Sequence, residues 1–210
     1  MHQALRQQQV QPIVLPHPRE SGGKPLMQAL KDRKTTRHLR PDPLSPEILA
    51  DLLWAANGYN RPAIGHRTAP SARNWQEIDI YLAMENGLFL FDPLANLLLT
   101  ITNEDIRGLT GQQEFAATAP LNLIYVSDFT RMREAFDREQ QKFYATVDTG
   151  FICQNVYLYC ASEGLGTVVR SLFSRRDLAK HMCLRQTQRV VLVQSVGYPA
   201  RAPEEASEPL

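Results

Sequence analysis

Cysteine is scarce in this 210-residue chain, and its three copies, Cys153, Cys160 and Cys183, make no CxxC pair and no Cys/His spacing that could hold zinc. Cys153 and Cys160 are seven residues apart, which on a helix separates them by roughly 10 Å along the axis, too far to bridge. Buried packing is their expected role, because no thiolate-stabilising neighbour stands beside either. An excess of one charge is also lacking: 23 Lys and Arg against 22 Asp and Glu leave a formal charge of +1, so nothing electrostatic points to nucleic acid or to an anionic membrane. No apolar run approaches the 18 or so residues that a membrane span needs. There is no P-loop, no HExxH and no GxSxG, and His2, His17, His38, His66 and His181 form no cluster. The opening MHQALRQQQVQPIVLP lacks an apolar h-region followed by a small-residue cleavage site. Reduced thiols without a leader imply the cytoplasm, with the periplasm as the alternative if an export signal has been removed.

What the chain does contain is enough for one substantial core, since 43% of its residues are hydrophobic and 21% charged, ordinary values for a globular domain. Residues 1–23 are rich in Gln and Pro and end in Ser21, Gly22 and Gly23, a composition that reads as an arm or flexible tail. A single domain is expected over 24–201, with 202–210 as a C-terminal tail.

Leu26, Met27 and Leu30 predict a short helix that begins near Pro25 and ends near the RKTTR stretch. The clearest local signal follows. Ser45 is an N-cap, Pro46 fills the first turn, Ile48, Leu49, Leu52, Leu53 and Ala56 make a stripe, and Gly58 stands where a left-handed cap belongs. The polar, Pro- and Gly-rich stretch up to Gln76 reads as a functional loop. Strands are predicted over 77–84 and 87–92, joined as a hairpin, and 93–118 reads as short helices, one near 103–109 and one near 112–117. PLNLIYVSD predicts a central strand covered on both faces. A long helix over 139–163 carries Phe143, Val147, Phe151, Gln154, Leu158 and Ala161 at steps of three and four. A strand over 166–173, a helix over 175–182 and a last strand over 189–198 complete an interleaved α+β or α/β pattern.

Three stretches carry chemistry. Arg33, Thr35 and Arg37 alternate, so an extended backbone aims two guanidinium forks and a hydroxyl the same way, a good arrangement for phosphate. A solvated basic patch with Lys31 and Lys34 is the other reading. Ser71, Asn74 and Gln76 stand in a loop that enters a strand, and amides suit the edge of a heterocycle with alternating donors and acceptors. QNVYLYCASEGLG, at 154–166, is the end of an apolar helix whose Gln154, Asn155 and Glu163 need partners. Its GLGTVV continuation is no dinucleotide fingerprint, because the order is helix then strand and Val169 occupies the third glycine's place. Gly164 and Gly166 either open the backbone to a flat ligand or simply cap the helix.

Together with AANGYNR at 55–61 and VGYP at 196–199, these stretches resemble, in order, the nitroreductase family of FMN-dependent enzymes, over about residues 24–201. The small size is most similar to the branch that includes azoline-forming peptide dehydrogenases. The resemblance implies an α+β fold with a central, mainly antiparallel sheet flanked by helices, in a homodimer with exchanged arms and FMN at the interface. It places Arg33, Lys34, Thr35 and Arg37 at the phosphate and ribityl chain and Asn74 at the flavin ring, with Ser71 and Gln76 beside it. Glu163, Gly164, Leu165 and Gly166 would bring backbone N–H groups near the reactive flavin nitrogen, and Arg201 would complete the phosphate site. No catalytic acid or base and no metal is implied. NAD(P)H would reduce the flavin, and nitroaromatics, quinones or enones would accept the electrons. An azoline oxidase or a flavin-binding protein without turnover are the alternatives. In two places the chain departs from the family: Thr35 replaces a usual serine, and Glu77 stands where many members have proline.

Overall fold

Leu121–Asp128 forms the strand on which the molecule is built, and every one of its eight residues is buried. The computed structural model describes residues 11–135 and 137–200. In chain order the elements are β1 (Ile13–Val14), α1 (Leu26–Asp32), α2 (Pro46–Asn57), β2 (Tyr59–Arg61), β3 (His66–Arg67), β4 (Ile78–Met84), β5 (Gly87–Asp92), β6 (Leu97–Thr102), α3 (Phe115–Thr118), β7 (Leu121–Asp128), α4 (Arg138–Glu163), β8 (Gly166–Arg170), α5 (Arg175–His181) and β9 (Gln188–Gly197). Seven strands make one sheet in the order β1-β6-β5-β4-β7-β9-β8, and every neighbouring pair is antiparallel. The fold is α+β.

Alternation along β7 builds two cores. Leu121, Leu123 and Tyr125 join the cluster under α2 and α4, whereas Ile124 and Val126 join a smaller one with Phe173, Leu178 and Met182. The Tyr125 hydroxyl is buried in the larger core and is satisfied there, donating to Gln194 Oε1 at 2.7 Å while Gln194 Nε2 donates to Thr167 Oγ1 at 3.0 Å. On the other face the buried Arg170 donates to Thr110 O, Asn122 Oδ1 and Ser195 Oγ, and thereby fastens the turn before α3 to β8.

Four expectations need correction. Leu97–Thr102 is a strand, not part of a helical stretch; Asn96, at φ 52°, and the Asp92 side chain, which accepts from Leu94 N and Ala95 N, make the turn that admits it. The stretch read as loop before Gln76 contains the β2–β3 hairpin. Gly58 is extended, with φ −75° and ψ 168°, and glycine is required for space: a Cβ would lie 2.7 Å from Trp54 Cα. Residues 11–23, read as an arm or flexible tail, carry regular contacts, with Ile13 and Val14 paired to β6 and Arg19 bound to Asp51 and Glu163.

The long helix is the fifth and most informative departure. Its sheet-facing side is Ala145, Asp148, Thr149, Ile152, Cys153, Val156 and Cys160. The predicted stripe lies elsewhere, with Phe143 61%, Val147 36% and Phe151 43% exposed and Gln154 exposed as well. Periodicity alone cannot say which of two apolar stripes a chain uses for itself. α1 packs against α4 and repeats the pattern: Ala29 is buried, while Leu26, Met27 and Leu30 face outward. No helix among the described residues is long and apolar enough to cross a membrane.

Candidate functional site

α1 stops at Asp32, and residues 33–38 run on without regular structure beside β8, the edge strand of the sheet. Thr36 N donates to Thr167 O at 2.9 Å, and Leu39 forms a bridge to Pro199. This backbone tether fixes the direction of the basic run. The Arg33 guanidinium lies 5.3 Å from the centre of the Tyr157 ring, and Thr35 Oγ1 is 3.2 Å from the Tyr157 hydroxyl, which also accepts from Val169 N. Among the described residues no carboxylate lies within salt-bridge distance of Arg33, Lys34 or Arg37. Three cations are left without an acidic partner in one short segment. Arg201 lies outside the described residues.

Beside this segment is a cavity of about 400 Å³ lined by Lys24, Lys34, Thr36, Tyr157, Gly164 and Pro199, among others. Asp32 also lines it, and its hydrogen bond with Lys24 holds its carboxyl below the usual range. Cys160 reaches the cavity wall, but burial raises its thiol, so it is no nucleophile. Burial likewise pushes Cys153 up to about 12.

At the end of α4, Gly164 adopts φ 73° and nothing stands within 4 Å of where a Cβ would be. Its N–H and that of Leu165 both donate to Cys160 O. The expectation that these two offer free donors therefore fails, since the helix end consumes them. Gly166 is a different case. A Cβ there would lie 2.8 Å from Leu39 Cδ2 and from Thr36 Cγ2, so the missing side chain is what lets the basic segment pack on β8. Glu163 points to the N-terminal segment and accepts from Arg19 at 2.9 Å.

Ser71, Asn74 and Gln76 form a second cluster. Gln76 N donates to Ser71 Oγ at 3.0 Å, and Gln76 Nε2 donates to Asn74 Oδ1 at 2.9 Å and to Gly65 O. Arg67 Nε donates to Gln76 Oε1 at 2.8 Å, and Arg131 holds Gln76 O. Arg73, Asn74 and Gln76 all have φ between 50° and 56°, an unusual density of left-handed non-glycine residues. The turn is anchored to the middle of α4, where Asp148 Oδ2 accepts from Ala72 N at 2.9 Å. From Asp148 to Gly164 the helix runs about 24 Å. Within one chain, then, one cluster stands at the middle of the helix and the other toward its C-terminal end, and they line different cavities.

Residues 30–198 match the model of the nitroreductase family. The chain belongs to that family. Among nitroreductases and their relatives, a Methanocaldococcus jannaschii protein assigned as a nitroreductase is 26% identical over 171 residues, 77% of this chain and 85% of the relative. The crystal structure of a Ralstonia eutropha JMP134 protein assigned as a nitroreductase is 41% identical, with a TM-score of 0.86 over 91% of this chain and 90% of that one. The NADPH:FMN oxidoreductase of Vibrio harveyi, solved with NAD+, shares the fold at 17% identity, with a TM-score of 0.63 over 87% of this chain and 72% of that one. Membership of the nitroreductase family supports an oxidoreductase role.

Sequence reasoning missed Tyr157, Thr36 and Asp148. Tyr157 lies one helical heptad before Gly164, a spacing that puts both on one face, but an aromatic in a long helix looks like core. Thr36 and Asp148 act through tertiary contacts that leave no local pattern.

Proposed function

We propose that the protein is an FMN-dependent oxidoreductase that takes hydride from a nicotinamide nucleotide and delivers it to a small electron-poor acceptor. The observation that carries this reading is the segment of Arg33, Lys34 and Arg37, tethered by its backbone beside an open cavity and lacking any acidic partner among the described residues. Such a segment suits a phosphate dianion, which guanidinium forks bind through paired, charge-assisted hydrogen bonds. Thr35, held near Tyr157, adds a hydroxyl at the ribityl side, and Arg201 would extend the same positive field.

The second cluster supplies what a heterocycle edge needs. Asn74 and Gln76 are pre-set by the Ser71, Gly65 and Arg67 contacts, so little ordering is required on binding. The two clusters line different cavities on one chain, which favours a flavin held between two chains. The outward stripes of α1 and α4 favour the same arrangement: Leu26, Met27, Leu30, Phe143, Val147 and Phe151 leave apolar surface that a second copy would cover. The functional unit is a homodimer in this reading, with the phosphate cradle of one protomer facing the Ser71–Gln76 turn of its partner.

When bound, the flavin supplies the redox chemistry, accepting and donating hydride. The chain's own residues bind and orient it: the basic segment neutralises the phosphate, and Asn74, its amide oxygen held by Gln76, presents its Nδ2 group as a fixed donor to the ring edge, where negative charge develops on reduction. Nitroaromatics, quinones and enones are the acceptor classes for this chemistry. The free cysteines, two of them buried, suit a reducing compartment, the cytoplasm.

Purified protein tests the reading directly. It is expected to be yellow, or to take up added FMN, and to bleach anaerobically with NADH or NADPH. A colourless protein that ignores FMN would sink the proposal, and a yellow one indifferent to both nucleotides would exclude the reductase.

A further inference from the structure

Glu77 enters β4 fully buried, with 0% of its surface exposed, and among the described residues neither carboxylate oxygen meets a hydrogen-bond donor. Burying a carboxylate in this way is very costly, and such groups are normally paired or neutral. Its neighbour is another acid. The Asp148 carboxyl, 2% exposed on the inner side of α4, lies against it within hydrogen-bonding reach.

Two buried carboxyls in contact cannot both ionise, and their surroundings decide which keeps the proton. Asp148 Oδ2 accepts from Ala72 N at 2.9 Å, which favours its ionised form, whereas the more deeply buried Glu77 has only the weak help of its own backbone N–H, with no contact that meets hydrogen-bond geometry. The proton belongs on Glu77, which donates it to Asp148. Burial, with a smaller push from Asp148, raises the Glu77 carboxyl to about 7 against the opposing pull of its own backbone N–H and of the Arg131 charge. The other charged groups around the pair are committed elsewhere. Arg131, from the turn after β7, holds Gln76 O and Asp79 of β4; Asp128 at the end of β7 is bound by Arg185; Arg73 in the loop pairs with the exposed Glu134; Arg67 of β3 holds Gln76 Oε1.

The pair sits under the segment whose backbone is least comfortable. Ala72 opens the turn that carries Arg73 and Asn74, and Gln76 immediately precedes Glu77. We propose that Glu77 and Asp148 share one proton and act as positioning residues, locking the left-handed Ser71–Gln76 turn in the shape that presents Asn74 and Gln76 to the flavin ring. This rests on the flavin reading for its ligand, but the hold on the turn does not. Loss of the proton places two negative charges side by side in the core, and the cheapest relief is to lift the turn.

Trp75 lies inside the turn, packed edge-on against Tyr144 with ring centres 5.7 Å apart, and reports its state. With Trp54→Phe to leave Trp75 as the single indole, its emission and the FMN affinity of the protein are measured from pH 5.5 to 8.5. Both should change together through a one-proton transition near neutrality, FMN affinity falling by as much as tenfold per pH unit on the alkaline side. Glu77→Gln should abolish the transition, and Asp148→Asn should move its midpoint to lower pH, because the neighbouring charge that holds the proton is gone. A flat wild-type profile, or the same midpoint in Glu77→Gln, would overturn the proposal. So would a Trp75 transition that FMN affinity does not follow. If no FMN binds at any pH while Trp75 still titrates with Glu77, the flavin reading falls and the hold on the turn stands.

Discussion

The backbone N–H of Val169 donates to the Tyr157 hydroxyl at 3.2 Å, across the gap between edge strand β8 and helix α4. That one hydroxyl satisfies a strand group with no neighbouring strand on its far side and at the same time receives Thr35 from the basic segment. Tyr157→Phe should therefore do two things. It should destabilise the fold by about 1–2 kcal/mol, as the partner of a partly buried N–H disappears. It should also loosen Thr35 and weaken FMN retention. Urea unfolding and flavin titration check the two effects separately, and a variant with wild-type values in both would deny Tyr157 its bridging role.

Arg33→Ala removes a cation with no acidic partner among the described residues, so fold stability should hardly change. FMN affinity should drop by roughly 1.5–3 kcal/mol, the worth of a hydrogen bond to a charged group. Equilibrium dialysis of FMN against riboflavin gives the check: the loss should be large for FMN and small for riboflavin, which lacks the phosphate. Equal losses would move Arg33 away from the phosphate.

The two glycines at the end of α4 should behave differently. Gly166→Ala places a methyl 2.8 Å from Thr36 and Leu39, and overpacking of this kind costs about 1–3 kcal/mol while displacing the basic segment. Gly164→Ala meets open space and only the left-handed backbone opposes it, at about 1–2 kcal/mol. Thermal unfolding should show both losses, but only Gly166→Ala should also lower phosphate-dependent FMN binding.

Glu77 gives a pH dependence of stability with a definite sign. Its carboxyl is raised from 4.5 to about 7 in the folded state, so folded protein binds the proton more tightly than unfolded protein. Its contribution is fully present below pH 4.5 and is lost as pH rises through about 7, with a slope of at most ~1.4 kcal/mol per pH unit. Denaturation midpoints across that window should fall with pH in the wild type and stay level, as far as this group is concerned, in Glu77→Gln.

Phe143 and Phe151 stand two helical turns apart on the outward stripe of α4 and are 61% and 43% exposed in the single chain. Phe143→Asp with Phe151→Asp should produce a folded monomer by sedimentation and abolish FMN binding, because neither protomer can then complete the other's site. A dimer that survives both charges would place the interface elsewhere.

Much of the candidate site is visible in the sequence as types of residue in a given order. Arg33 to Arg37, Ser71 to Gln76 and Glu163 to Gly166 are local runs, and their spacing follows from what an extended segment, a strained turn and a helix end each require. The elements around β7 are legible for the same reason, since LNLIYVSD can only be a strand covered twice. Leu97–Thr102 is not, because Asn96 and the Asp92 side chain make a turn that no alternation announces. Glu77 looks like the first residue of an alternating strand, and nothing nearby in the sequence indicates that Asp148, 71 positions later, will be pressed against it.

The sequence by itself determined the interleaved helix–strand pattern and the three chemical stretches, because propensity, periodicity and residue type act over a few neighbouring positions, and the order of those stretches carries the resemblance to the family. Only the tertiary structure decided what each stretch touches. It turned the Phe143–Val147–Phe151 stripe outward, filled the space at Gly166 with Thr36, and set two acids together in the core. Each of these depends on segments brought together across the sheet or along a helix of about 39 Å, a distance over which no local pattern carries information.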